Sequence, residues 1–130
     1  MAFDEHLTER VLELVGDVDG VVELKMFGGW GITVHGNMAV GVMGDDLIAR
    51  VGPAAFAAAL AKAEARPFDF TGRVMTGWVY VDGAAISRKP ALRAWVNRGV
   101  IFAQSLPPKV PRPRRRAAPG AGGRARRNGL

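Results

Sequence analysis

The chain has 130 residues, 48% of them hydrophobic and 23% charged, which is enough for one globular domain with a core of its own. It contains no cysteine, which excludes disulfides, thiolate metal sites and a cysteine nucleophile. The net charge of +6 is unevenly spread. Residues 1–106 carry ten basic and twelve acidic side chains, whereas the last 24 residues carry eight basic side chains and no acidic one. Any nucleic-acid affinity that the charge suggests therefore belongs to the C-terminal segment.

The first predicted element is an amphipathic helix. Apolar residues recur at helical spacing from Phe3 to Val15, and Glu5, Glu9 and Glu13 lie between them. Four short strands are then predicted over residues 21–27, 30–35, 38–43 and 47–51. Their connections are so short that neighbouring strands must be antiparallel. The first connection is a Gly-Gly pair, which supplies the positive φ that a tight hairpin needs.

The second half of the domain is predicted to contain two helices and a strand. An alanine-rich helix is expected over residues 54–65, with a stop at Arg66 and Pro67. A strand is expected over residues 75–81. Ser87 is expected to cap the last helix. The buried stripe of this helix includes Gly99, which predicts close contact with the sheet or a kink at that position. The sequence therefore predicts an α+β fold in which helices pack on an antiparallel sheet of four to five strands.

The last segment has a different composition. It is rich in proline, glycine, alanine and arginine, so it cannot bury enough apolar surface to offset its ordering entropy. We predict a folded domain over residues 1–106 and a disordered basic tail over residues 107–130. Arginines in such a tail contact phosphates without reading sequence. The candidate nucleic-acid-binding residues are Arg112, Arg114, Arg115, Arg116, Arg124, Arg126 and Arg127. A passive, solubilising terminus is the alternative interpretation.

No catalytic or metal site is predicted from the motifs. The glycine-rich turn is followed by a strand rather than a helix, which favours a hairpin over a phosphate loop. His6 and His35 lack partners at ligand spacing, and Asp45 with Asp46 is typical of a turn. The three tryptophans are expected in the core or an interface rather than stacked on bases, although Trp30, beside the turn, is the one most open to exposure. We expect no cofactor.

Several landmarks together resemble the TfoX/Sxy N-terminal domain family. They begin with residues 25–32 (Lys-Met-Phe-Gly-Gly-Trp-Gly-Ile) and an Asp-Asp turn before Leu47. Phe56, Pro67 with Phe68, the aromatic strand around Tyr80, and residues 92–95 before a terminal helix extend the resemblance to about residues 5–108. The motif residues, which we expect to be mainly structural, are Met26, Phe27, Gly28, Gly29 and Trp30.

The resemblance implies a two-layer α+β domain and supplies no catalytic residues. Named members of the family are bacterial regulators of natural competence, thought to act at promoters with the cyclic-AMP receptor protein. They carry a second, helical domain where this chain has its basic tail. We therefore expect a non-enzymatic, cytoplasmic regulatory or interaction domain that contacts another protein, such as the transcription machinery. The tail would add weak, nonspecific affinity for DNA or RNA.

Two other functional interpretations stay open at the level of sequence. One is a small-ligand-binding protein or enzyme with a pocket near the Gly-Gly turn. The other is a homodimer formed through a sheet edge or through the acidic first helix. No membrane partner is expected, because no apolar run reaches the length of a membrane-spanning helix and the first five residues lack the positive charge of a secretory signal.

Overall fold

The computed structural model describes residues 3–26, 28–69 and 72–109. Within these residues, three α-helices and six strands follow one another in a single α+β arrangement. The helices are α1 (Glu5–Leu14), α2 (Phe56–Leu60) and α3 (Lys89–Ser105). The strands are β1 (Val21–Met26), β2 (Gly29–Val34), β3 (Asn37–Met43), β4 (Asp46–Arg50), β5 (Ala65–Pro67) and β6 (Trp78–Val81). A short 3-10 helix, Gly83–Ile86, precedes α3.

The six strands form one antiparallel sheet in the order β1-β2-β3-β4-β6-β5. The predicted α+β class is therefore confirmed, with slightly more strands than the four to five expected. The additional strand is β5, which is only three residues long and ends at Pro67. A segment so short shows no period of its own, and it becomes a strand because it pairs with β6.

One face of the sheet carries the hydrophobic core. Alternate residues of the central strands point to this face, as Ile32, Val34 and Val42 do, and each is fully buried. The same apolar cluster includes side chains from α1, α2 and α3. Residues at the intervening positions, such as Ile48 and Tyr80, point to the opposite side, which we call the second face. The molecule therefore has two layers, helices on a sheet.

The first helix begins as its sequence suggests. Asp4 has an extended backbone, and its carboxylate accepts hydrogen bonds from the backbone N–H groups of His6 and Leu7 at 2.9 and 3.2 Å. These two groups would otherwise lack a partner at the start of the helix. Leu7 and Val11 are buried against the core, while Glu5, Glu9 and Glu13 are exposed. The predicted amphipathic helix is thus observed, within a residue or two at each end.

The last helix packs closely on the sheet. Gly99 faces β3, and a Cβ atom at this position would lie 2.3 Å from the backbone oxygen of Ala39 and 2.7 Å from Cγ1 of Val40. Because no side chain fits there, glycine sets the distance between α3 and the sheet. The close contact that the sequence predicted for Gly99 is observed.

Three sequence-based boundaries are wrong. The helix expected over residues 54–65 is only Phe56–Leu60, because the chain turns after it and enters β5. The strand expected over residues 75–81 begins only at Trp78. Ser87 does not cap α3: the N-cap position is Arg88, without a side-chain bond. The capping carboxylate nearby is that of Asp82, which accepts from the backbone N–H of Ala84 and starts the 3-10 helix instead.

No helix among the described residues is long and apolar enough to cross a membrane.

Candidate functional site

The Gly-Gly turn forms a tight hairpin between β1 and β2. Met26 pairs with Gly29, so the loop consists of two residues, and Gly28 adopts a φ of 76°. This left-handed conformation is accessible to glycine and is the reason for glycine in the motif. Phe27 and the side chain of Met26 lie outside the described residues. The turn connects two strands and has no helix behind it to bind a phosphate.

Trp30 is buried in the core, as expected for the tryptophans, although its place beside the turn made it the one most open to exposure. Only 4% of it is accessible, because its position in β2 points to the core face of the sheet. Its indole Nε1 donates a hydrogen bond of 3.0 Å to Oε1 of Glu23 on β1. Trp30 therefore contributes packing, and it also orients a carboxylate at the edge of the sheet.

The acidic and histidine side chains considered for metal binding are dispersed. Oδ2 of Asp46 accepts a bond of 2.7 Å from Arg66, and its Oδ1 accepts from the backbone N–H of Gly83. Nε2 of His35 lies 3.7 Å from the carboxylate of Asp19. Within the described ranges, no group of three or more His, Asp or Glu side chains could hold a metal ion.

A ladder of aromatic and arginine side chains occupies the second face near β5 and β6. Phe68 meets Tyr80 edge-on with ring centroids 4.9 Å apart, and the guanidinium of Arg66 stacks over Tyr80 at 4.7 Å. The guanidinium of Arg50 stacks over Trp78 at 5.1 Å. The hydrogen bond to Asp46 raises the pKa of Arg66, and burial raises the pKa of Tyr80.

This ladder was missed in the sequence analysis, although one signal for it existed. Trp78 and Tyr80 are two residues apart on a predicted strand, so they had to share one face. Arg50 and Arg66 join them only because β4 and β5 both pair with β6, which the sequence did not reveal. The third tryptophan, Trp95, lies in the core and donates to a carboxylate oxygen of Glu64 at 3.2 Å.

An apolar cleft of about 320 Å³ lies between α3 and the segment that connects β4 to α2. Its polar lining residues are Arg98 and Ser105. Arg98 stacks over Trp95 at 4.9 Å, and Arg50 lies 5.3 Å from the ring of Phe102. Burial lowers the pKa of Arg50 from its usual value. The residues that line the cleft are Val51, Ala55, Arg98, Ile101, Phe102 and Ser105. None of them comes from the Gly-Gly turn, where the sequence suggested a pocket.

The C-terminal part of the domain is cationic. Residues 83–109 contain five basic side chains and no acidic one, and they lead directly into the tail. The chain is still attached to the domain at Lys109, whose backbone N–H donates to the carbonyl of His35 at 2.8 Å. Asn37 donates to the carbonyl of Pro107 at 3.0 Å. The candidate arginines of the tail, Arg112, Arg114, Arg115, Arg116, Arg124, Arg126 and Arg127, lie outside the described residues.

The fold and its hairpin motif can be compared with known families. The model of the TfoX N-terminal domain matches residues 13–103, more than half of the chain. The chain belongs to the TfoX N-terminal domain family. Searches of curated proteins and of solved structures gave no match.

The family match covers the sheet and the hairpin of this TfoX N-terminal domain but not its tail. The matched range starts within α1 and ends within α3, so it includes the whole sheet and the Gly-Gly hairpin. The basic tail lies beyond it. The family therefore explains the domain, and the tail has to be interpreted from its own chemistry.

Proposed function

We propose that this TfoX N-terminal domain is a non-enzymatic regulatory module. It acts in the cytoplasm through contacts with another protein, such as the transcription machinery, and its basic tail supplies weak, sequence-nonspecific affinity for DNA or RNA. The family match supports the kind of domain. A role in competence or transcription is an extension from the family's named members.

The observation that carries the nucleic-acid part is the separation of charge along the chain. Every acidic residue precedes residue 83, and twelve basic residues follow it. A segment with eight positive charges and no acid attracts phosphates over a long range and releases their counterions on binding. Affinity from this source is weak at physiological salt, with a typical Kd between about 10⁻⁴ and 10⁻⁶ M.

The domain itself supports the non-enzymatic part through the use it makes of its polar side chains. Asp46 and Glu64 both accept structural hydrogen bonds, and Arg10 donates to two backbone carbonyls that precede α3. A catalytic acid or base needs instead a free position beside a substrate. The polar groups named here act as connections between elements.

The first prediction is that the tail determines the salt dependence of nucleic-acid binding. We compare the full chain with a variant in which Arg112, Arg114, Arg115 and Arg116 are changed to Gln, using fluorescence anisotropy on a duplex of random sequence. With all eight tail charges engaged, log K falls with log salt at a slope of about −7 as an upper limit. The variant is expected to show a slope of about −4 and a weaker affinity at low salt.

The matched control removes four positive charges from the domain. Arg73, Arg88, Lys89 and Arg93 are exposed, and changing all four to Gln alters the net charge by the same amount. This control is expected to keep the steep slope. An equal loss of duplex affinity in both variants would show that net charge, rather than the tail, attracts the duplex. Unchanged affinity and salt slope in the tail variant would refute the tail's role.

A small-ligand function is the alternative, and the cleft beside α3 favours it. Its volume lies at the lower end of the range of ligand sites, and its walls are apolar with an arginine at the edge. Such a site suits a compact apolar molecule with a negative group. Native mass spectrometry of the purified protein distinguishes the two functions: a bound metabolite supports the alternative, and a mass that corresponds to the protein alone counts against it.

A further inference from the structure

The two edge strands of the sheet differ in length and in proline content. The edge strand β5 has three residues and includes Pro67, which lacks an N–H to donate, so it is poorly suited to pair with another strand. The other edge strand, β1, has six residues and no proline. Its Val22 is 59% exposed, and Glu23 and Lys25 are exposed as well. The edge of β1 is thus open to a further strand.

The pairing of β1 with β2 determines which backbone groups are free. The N–H of His35 donates to the carbonyl of Gly20 at 2.9 Å, so these two residues form a hydrogen-bonded pair of the ladder. Hydrogen-bonded pairs recur at every second residue, so the backbone groups of Val22 and Leu24 also point to β2. Those of Val21, Glu23 and Lys25 point away from the sheet. These outward groups are the ones a new strand would bind.

The outward groups limit how two copies of β1 can pair about a two-fold axis. The axis must pass through a residue, because an axis between residues would place outward groups opposite inward ones. An axis through residue 23 sets Glu23 against Glu23, and an axis through residue 25 sets Lys25 against Lys25. An axis through Leu24 sets Glu23 of each copy opposite Lys25 of the other. Only this last register brings opposite charges together around the centre of the strand.

We propose that the protein forms a symmetric dimer in which β1 of one copy pairs antiparallel with β1 of a second copy about Leu24. Glu23 and Lys25 of opposite copies then form two hydrogen-bonded backbone pairs and two ion pairs. Leu24 meets Leu24 on the second face, close to the exposed Val22. The two sheets become one continuous sheet, and the interface is self-complementary, as a two-fold axis requires.

The side chains at this edge are arranged for such a contact. Glu23 is held by the indole N–H of Trp30, which bonds only its Oε1, so the second carboxylate oxygen is available. Lys25 forms no ion pair with any described residue, although it pairs with Trp30 across β1 and β2 and lies two residues from Glu23. Charged residues at an edge usually oppose pairing. Here their alternating sign opposes the wrong registers and favours one.

The second prediction concerns self-association of charge variants, measured by sedimentation velocity from micromolar to millimolar concentration. The natural chain is expected to dimerise reversibly. Lys25→Glu places like charges opposite each other in both pairs, and Glu23→Lys does the same with the opposite sign, so each variant alone is expected to dimerise at least about tenfold more weakly. A 1:1 mixture of the two variants restores both pairs of opposite charges and is expected to dimerise like the natural chain.

Lys62→Glu is the matched control, because Lys62 is exposed, lies between α2 and β5 rather than in β1, and undergoes the same change of charge. It is expected to dimerise normally. The proposal would be overturned if the natural chain stayed monomeric at every concentration, or if the Lys25→Glu variant dimerised normally. It would also be overturned if the mixture stayed monomeric while the natural chain dimerised.

Amide hydrogen exchange of the natural chain tests the same interface without a substitution. The N–H groups of Glu23 and Lys25 are expected to exchange slowly at high protein concentration and fast on dilution. Those of Val22 and Leu24 are expected to be protected at both concentrations, because they bond to β2. Rapid exchange at Glu23 and Lys25 under conditions where the protein is dimeric would place the interface elsewhere and refute the proposal.

Discussion

Gly99 shows how one residue sets the spacing of the two layers. Its missing side chain lets α3 approach β3 until the helix backbone lies against the carbonyl of Ala39. In an isolated helix, alanine is favoured over glycine by about 1 kcal/mol. Here the preference is reversed, because a methyl group has no room between the layers.

The third prediction is therefore that Gly99→Ala destabilises the protein. The added methyl group forces α3 away from the sheet, at a cost of about 1–3 kcal/mol, which exceeds the gain in helix propensity. The free energy of unfolding is measured by urea denaturation. Ala94→Gly, at an exposed position of the same helix, gives the propensity effect alone. A Gly99→Ala variant more stable than the natural chain would mean that the helix does not pack this closely.

At the scale of elements, an arginine attaches α1 to the segment just before α3. Nη2 of Arg10 donates to the carbonyls of Ile86 and Ser87, at 2.9 and 3.1 Å, just before α3 begins. The bond to Ile86, the last residue of the 3-10 helix, is partly buried, so its carbonyl would otherwise lack a partner away from water, whereas the bond to Ser87 is exposed. Arg10 thus connects the first helix to the start of the last one, across most of the sequence.

The fourth prediction is that Arg10→Met lowers the free energy of unfolding by about 1–3 kcal/mol. The substitution keeps much of the apolar stem but leaves two carbonyl groups without their charged donor. Arg93→Met on α3 removes an exposed arginine with no bond to a described residue, so it is expected to change stability by less than about 0.5 kcal/mol. Chemical denaturation of both variants makes the comparison. Equal effects would show that the bonds to residues 86 and 87 do not stabilise the fold.

At the scale of the molecule, the proposed dimer and the proposed role of the tail reinforce each other. The chain leaves the domain at Lys109, beside the turn that joins β2 and β3. Pairing about Leu24 would give one particle with two such tails, one on each side of the axis. Two weak binding segments on one particle bind a long duplex more tightly than either does alone, since the second contact is intramolecular.

The fifth prediction follows from this coupling: Lys25→Glu is expected to weaken binding to a duplex longer than both tails by at least about tenfold, although the tail is unchanged. The measurement is fluorescence anisotropy at low salt, with the protein at concentrations where the natural chain is dimeric. Lys62→Glu carries the same change in charge and is expected to bind like the natural chain. Equal affinities of the two variants would show that each tail acts independently.

Much of the fold followed from local patterns in the sequence. The helical spacing of apolar residues defined α1, and the turns of glycine and acidic residues separated β1 to β4 with boundaries close to those observed. The family landmarks were also local, since the hairpin motif spans only a few adjacent residues. The charge of the tail needed no structure at all, because it depends on composition.

Only the tertiary structure decided the features that depend on contacts between distant segments. β5 is a strand because β6 lies beside it, and Trp30 is buried because β2 is central and points it to the core. The aromatic ladder and the arginine-flanked cleft combine residues from separate elements, which no local pattern links. The free edge of β1 likewise became visible only once the strand order was known, because the pattern of a strand does not say which neighbours it has.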